Sequence, residues 1–142
     1  MSDGTIGITG GNTKWFSYGS LKVQGTYELR VCAVLDEAVR LGEISSWDYT
    51  NDRVSYTRSN GKPSTYLLDF KVVELDGTVR YIEVKGWQRE DDVNKWRAAR
   101  ETGLTLDVWF LKEIKYEEDR LGLKFDSKNY VTNHEPSART VV

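Results

Sequence analysis

The sequence predicts an α/β fold of the mixed α+β kind, in which a central mixed β-sheet with a hairpin at its core is flanked by helices. Residues 64–74 and 78–85 have the composition of strands and are joined by a short turn, which is typical of a β-hairpin. Residues 89–102 follow with helical periodicity, and residues 104–111 form a third apolar strand segment. Because a helix links the last two strands, we expect those strands to pair in parallel.

The first helix is predicted over residues 26–41. Thr26 is placed to cap its start, and Gly42 follows its end. Residues 14–24 precede it and mix aromatic residues and lysines without a clear period. The apolar side chains of the helix recur at one-turn spacing. They are Val31, Cys32, Leu35, Ala38 and Val39.

Shorter elements fill the gaps between these segments. Residues 44–47 and 53–56 are strand candidates, and residues 60–63 form a turn rich in Asn, Gly and Pro. Residues 112–142 are polar and give no clear pattern. We therefore expect one domain over residues 1–142.

Composition limits the class of protein. The chain has 142 residues, with 39% hydrophobic and 30% charged side chains, which suits a single globular domain. We expect residues 1–13 to form a flexible arm and residues 130–142 a frayed tail. No run approaches the ~18 apolar residues that cross a membrane, and the N-terminus does not resemble a secretory signal, so we expect a cytoplasmic protein without a membrane partner. With one cysteine, Cys32, and one histidine, His134, a Cys/His zinc site is excluded.

Four charged residues fall where an apolar segment does not explain them. Glu28 continues the buried stripe of the first helix, although it could also serve only to cap the first turn. Glu83 and Lys85 share one face at the end of a strand that is otherwise apolar. Asp69 interrupts the apolar run YLLDF. A three-residue loop with Gly77 in the left-handed position places Asp69 opposite Glu83, whereas a two-residue turn places it opposite Val84.

These residue types fit the hydrolysis of a phosphodiester. Opposed carboxylates repel each other unless a cation lies between them, and oxygen ligands select a hard ion such as Mg²⁺, for which Mn²⁺ substitutes. Such an ion polarises a phosphoryl oxygen and helps to deprotonate water. A lysine beside it stabilises the charge that develops on the phosphate. The net charge of −2 is not that of a typical basic nucleic-acid-binding domain, but a cation site must itself be acidic.

The order and spacing of these residues resemble the PD-(D/E)XK nuclease superfamily. The segments VQGTYELRVCAVLDE, YLLDF and YIEVKGWQREDDVNKW resemble the phage endonuclease I group of junction-resolving enzymes and related phage homing or nicking endonucleases. The match covers residues 14–110. The resemblance implies a restriction-endonuclease-like fold, and a location in the host cytoplasm if the protein is encoded by a phage.

The resemblance also implies a role for each residue. Asp69 and Glu83 correspond to the metal ligands, Lys85 to the catalytic lysine, and Glu28 to the acidic residue of the first helix, which completes the metal site. Leu68 stands where the family usually has proline before the aspartate. The acidic pI of about 5.5 differs from the basic character of junction resolvers.

The predicted activity is that of a Mg²⁺-dependent endonuclease on duplex DNA, of the homing, site-preferring or nicking kind. A junction-resolving enzyme on branched DNA is the first alternative, and a DNA-binding module without catalysis is the second. A homodimer is expected, because two strands require two sites; no organic cofactor is expected. The candidate DNA contacts, from residues suited to phosphates or to stacking on a base, are Lys14, Trp15, Lys22, Gln24, Arg53, Arg58, Lys62, Gln88, Arg89 and Lys95.

Overall fold

A computed structural model describes residues 14–133 of the chain. The predicted arm, residues 1–13, lies outside the described residues, and so do residues 134–142. Within the described part, three helices and ten strands follow in order along the chain. They are β1 (Trp15–Tyr18), β2 (Leu21–Gln24), α1 (Thr26–Arg40), β3 (Ser46–Tyr49), β4 (Arg53–Thr57), β5 (Pro63–Leu67), β6 (Phe70–Val73), β7 (Val79–Val84), α2 (Asp92–Glu101), β8 (Leu106–Trp109), α3 (Leu111–Leu121), β9 (Phe125–Asp126) and β10 (Val131–Thr132).

A mixed four-stranded sheet forms the centre of the fold, in the order β3-β6-β7-β8. β3, β6 and β7 are antiparallel neighbours, and β8 pairs in parallel with β7 after the α2 crossover. The mixed sheet, its central hairpin and the parallel pair confirm the predicted α/β class. Two-stranded hairpins, β1–β2, β4–β5 and β9–β10, lie outside this sheet.

Two apolar clusters cover the two faces of the sheet, as the alternation of side chains along its strands requires. On one face, Phe70, Val72 and Ile82 pack with the apolar stripe of α1 and with Ile114 of α3. On the other face, Tyr81 packs in a second cluster with side chains of α2, β8 and the β4–β5 hairpin. The central strands are therefore buried on both sides, and a charged side chain on either face needs a specific partner.

The predicted strand over residues 64–74 is wrong, because the segment divides into β5 and β6, which belong to different sheets. The division falls at Leu68 and Asp69, whose backbone groups bond outside the sheets. The Leu68 N–H donates to the Asp52 carbonyl at 2.9 Å, and the Asp69 carbonyl accepts from the Thr50 N–H at 3.0 Å. Tyr66, Leu67 and Leu68 before the break and Phe70 after it are all apolar or aromatic, so hydrophobic periodicity alone does not reveal the break.

Three other regions differ from the sequence prediction. Residues 14–24 form the β1–β2 hairpin, whose turn contains Gly19 with a φ of 60°. The unassigned polar region begins with α3, which buries only Ile114 and Glu118 and so shows little apolar periodicity. The tail expected from residue 130 begins with β10, which pairs with β9. α1 begins as predicted, but Gly25 rather than Thr26 precedes it as the capping residue.

The helices of residues 14–133 include none that is long and apolar enough to cross a membrane.

Candidate active site

The β6–β7 hairpin has the register that a three-residue loop requires. The Glu74 N–H donates a hydrogen bond to the Thr78 carbonyl at 2.8 Å and so closes the loop, in which Gly77 has a φ of 88°. The next pairs run from Val73↔Val79 to Phe70↔Ile82. Continuing this register brings Asp69 opposite Glu83. The register prediction is confirmed, and the alternative pairing of Asp69 with Val84 is excluded, although Asp69 lies just before β6 rather than inside a strand.

Asp69 is fixed by the backbone of the neighbouring strand. Its Oδ2 accepts a hydrogen bond from the Val84 N–H at 2.8 Å. The bond fixes the orientation of the Asp69 carboxylate at the point where β6 begins and β7 ends. This is the one hydrogen bond that the carboxylate accepts within residues 14–133, so its partial burial calls for a further hydrogen-bond donor or positive charge.

Glu83 is buried on the face of the sheet that α2 covers. Its Oε2 lies 3.8 Å from the Lys85 ammonium, and its Oε1 is fully buried without a hydrogen-bond partner in the described residues. A buried carboxylate oxygen without a donor is costly and calls for a ligand. The structure therefore brings Glu83 and Lys85 together as predicted and leaves one oxygen of Glu83 open.

Glu28 lies in the first turn of α1 and approaches from the opposite face of the sheet. Its Oε1 accepts hydrogen bonds from the Gln24 N–H and from the Tyr49 hydroxyl, each at 2.8 Å. The Gln24 bond is the helix-start contact that the alternative interpretation of Glu28 expected. The Tyr49 bond is different, because it ties Glu28 to β3 at the same end of the sheet as Asp69.

The charges of the three acids affect one another. Burial raises the pKa of Asp69 well above its ordinary value, and the charges of Glu83 and Glu28 raise it further. Burial also raises the pKa of Glu83, to about 7, against the opposing charges of Lys85 and Lys95. The pKa of Glu28 is raised by burial as well. Such a cluster favours either protons or a bound cation at neutral pH.

A preformed metal cage is not present among residues 14–133, since no three acidic, histidine or cysteine side chains there converge closely enough. The fit of a divalent cation rests instead on the chemistry of the donors. All three are carboxylates, they interact through their charges, and Glu83 has an oxygen without a partner. This donor set suits Mg²⁺ or Mn²⁺.

Sequence reasoning missed Asp92, the first residue of α2, which is fully buried. Its Oδ1 lies 3.1 Å from the Lys85 ammonium and 3.8 Å from that of Lys95, and its Oδ2 accepts the Arg89 N–H at 2.7 Å. An acidic residue at a helix start is common, so the sequence alone gives no specific signal. Tyr49 was missed for a similar reason, because only the fold brings it to Glu28.

The candidate DNA contacts divide into an exposed set and one inward residue. Lys95 is the inward one: its ammonium lies near Asp92 and over the rings of Tyr56 and Tyr66, at 5.7 and 5.6 Å from their centroids. The others are exposed: Lys14, Trp15, Lys22 and Gln24 on or beside the β1–β2 hairpin, Arg53, Arg58 and Lys62 on the β4–β5 hairpin, and Gln88 and Arg89 between β7 and α2.

An exposed aromatic residue lies two positions after Lys85. Trp87 is 64% exposed, and the Arg89 guanidinium lies 4.9 Å from the centroid of its ring. An exposed tryptophan under a cation is suited to stack on a nucleobase. Trp87 and Arg89 lie on the connection between Lys85 and α2, and are therefore close in sequence to Glu83.

No family model matches the chain, and no curated protein or solved structure is similar to it.

Proposed function

We propose that this protein is a metal-dependent endonuclease that hydrolyses phosphodiester bonds in DNA, with a restriction-endonuclease-like arrangement of its sheet. The observation that carries the proposal is the group of Glu28, Asp69 and Glu83, whose charges interact at one end of the sheet, with the Lys85 ammonium 3.8 Å from Glu83. Three carboxylates and a lysine are the groups that a cation-assisted attack of water on phosphorus uses.

Each residue has a separate task in this reaction. Asp69 and Glu83, with Glu28, would hold Mg²⁺, which when bound supplies Lewis-acid polarisation of the phosphoryl group and of the attacking water. Lys85 donates a hydrogen bond to a non-bridging phosphate oxygen and stabilises the negative charge that grows there. Tyr49 holds the Glu28 carboxylate in place through its hydroxyl. The new bond joins the water oxygen to phosphorus, and the P–O bond to the leaving sugar oxygen breaks.

Plasmid cleavage tests the proposal. Supercoiled DNA is incubated with the protein in Mg²⁺ or Mn²⁺ and in EDTA, and nicked and linear products are quantified. Asp69→Asn and Lys85→Met should each lower the cleavage rate by about 100-fold or more. Asp48→Asn and Lys112→Met are matched controls, because each makes the same substitution at an exposed position. DNA binding measured in Ca²⁺ should persist in all four variants.

The alternatives correspond to distinct outcomes. Faster cleavage of a synthetic four-way junction than of linear duplex would favour a junction-resolving enzyme. Metal-independent DNA binding by the wild type, without cleavage, would favour a binding module. Full activity in Asp69→Asn or in Lys85→Met would refute the assigned roles.

A homodimer belongs to the same proposal, because residues 14–133 of each chain offer one such group of acids and a duplex has two strands. Sedimentation of the protein with and without DNA measures this directly. A monomer that only nicks the duplex would contradict the dimer while leaving the chemistry intact.

A further inference from the structure

Asp92 has more charged partners than the start of a helix requires. One oxygen, Oδ2, accepts the Arg89 N–H and so serves the first turn of α2. The other oxygen, Oδ1, receives no hydrogen bond within residues 14–133 and lies between the two ammonium groups of Lys85 and Lys95. A fully buried carboxylate is costly unless cations accompany it. The two lysines therefore offset the cost of burying this oxygen.

The Lys85 ammonium is closer to Asp92 than to the acid beside it on the strand. Its Nζ is 3.1 Å from Asp92 Oδ1 and 3.8 Å from Glu83 Oε2. Lysine is a flexible point charge on a four-carbon stem, so its position follows the nearest anion. Without Asp92, the nearest anion of this lysine would be Glu83. The lysine would then cover the carboxylate that is left with a free oxygen in the structure.

We propose that Asp92 is a positioning residue of the site, whose buried carboxylate holds the Lys85 ammonium beside Glu83 and keeps it from covering Glu83. This inference rests on the proposed nuclease function. It gives Glu83 an open oxygen for the cation and gives the lysine a fixed position from which to meet the phosphate. Asp92 thus holds Lys85 in place for the reaction. Lys95 supplies a second positive charge near Asp92 and helps to balance its buried negative charge.

The first experiment measures cleavage kinetics of Asp92→Asn beside the wild type. We expect kcat to fall by roughly 10- to 100-fold, as for other residues that orient a catalytic group, while KM for DNA stays unchanged. Asp91→Asn is the matched control, because it removes the same charge from the neighbouring position, where the carboxylate bonds Ser59 instead of a lysine. The control should keep the wild-type kcat.

Two further readouts need no DNA. Acetylation of Lys85, followed by mass spectrometry and normalised to the exposed Lys112, should become faster in Asp92→Asn, because the amine loses the closer of its two anionic partners. Binding of Mn²⁺ alone, followed by electron paramagnetic resonance, should weaken, because the released lysine moves onto Glu83. In Asp91→Asn both quantities should equal those of the wild type.

A purely structural role for Asp92 predicts a different pattern. In that case Asp92→Asn unfolds more easily, but the folded protein retains its kcat, its Lys85 acetylation rate and its Mn²⁺ affinity, and the inference is overturned. Should Asp92→Asn not fold, Asp92→Glu keeps the charge and displaces the carboxylate by one methylene, and the same three readouts decide. If the wild type cleaves no DNA, the proposed function fails. Unchanged acetylation of Lys85 in the variant would instead refute the claim that Asp92 holds this lysine.

Discussion

Replacing Glu83 with glutamine should make the metal-free protein more stable at pH 8 and reduce the pH dependence of its stability. The pKa of this carboxyl is raised from 4.5 to about 7 in the folded protein, chiefly by burial. A group whose pKa is raised by folding contributes stability below its unfolded pKa, and that contribution is lost as the pH rises through the folded pKa. For Glu83 the loss falls between about pH 4.5 and about pH 7.

The size of the effect follows from the two pKa values. Their difference corresponds to about 3 kcal/mol of unfolding free energy, as an upper bound. The pKa values of Asp69 and Glu28 are raised as well, so the stability of the wild type should fall with rising pH by more than Glu83 alone accounts for. The gain in unfolding free energy in Glu83→Gln is smaller than this upper bound if the buried amide of the glutamine forms no hydrogen bond.

Urea unfolding followed by tryptophan fluorescence measures the free energy at intervals from pH 5 to pH 8.5 in EDTA. The carboxyls whose pKa is lowered, Glu43, Asp76, Asp91 and Asp126, lose their contribution in more acidic solution, outside this window. Groups that do not interact with Glu83 cancel in the difference between variant and wild type, whereas Asp69, whose pKa the Glu83 charge raises, adds to that difference. Added Mg²⁺ should then stabilise the wild type but not Glu83→Gln, because a ligand of the folded state is lost.

Equal pH slopes for the two proteins would refute the reasoning, and so would wild-type stability that rises with pH across the window. Either result would mean that Glu83 is better solvated, or better paired with Lys85, than its burial indicates. A Mg²⁺ response retained in Glu83→Gln would separately exclude this residue as a necessary ligand.

Further predictions concern residues around the site and the scaffold. Trp87→Ala should weaken binding of DNA that has unpaired bases by about 10-fold or more, as measured by fluorescence anisotropy; an affinity equal to that of the wild type would refute stacking. Arg30→Met should cost about 3 kcal/mol or more in urea unfolding, because it leaves the buried Glu118 unpaired; a loss below ~1 kcal/mol would show that water replaces the arginine. Gly77→Ala should cost about 1 kcal/mol, because an L-residue at a φ of 88° is strained although space is free; unchanged stability would contradict the left-handed turn.

The central hairpin could be predicted because its turn chemistry is local. Gly77 accepts the left-handed conformation, and Asp76 stabilises the loop by accepting hydrogen bonds from the N–H and hydroxyl of Thr78. Once the loop length is known, the opposition of Asp69 and Glu83 follows by counting. Local sequence therefore determined the most important geometric element of the candidate site.

The remaining parts depend on contacts distant in sequence. The break at Leu68 and Asp69 arises from bonds to Asp52 and Thr50, which no periodicity encodes. α3 contains too few buried apolar residues for its helical periodicity to be recognised within a polar region. Asp92 is an ordinary acid at a helix start until the crossover brings it next to Lys85.

The two backbone bonds that join Thr50 to Asp69 and Asp52 to Leu68 close the base of the β4–β5 excursion immediately before the acid. Because the ends of this excursion are fastened together, a change in residues 60–62 at its tip should not move the anchored aspartate, provided that Ser59, which bonds Asp91 at the start of α2, is kept. The contacts made by the tip of the β4–β5 hairpin could thus be altered while the candidate site keeps its geometry. Under the proposed function, the segment available to contact DNA is separate from the residues that would cut it, so the two properties could change independently.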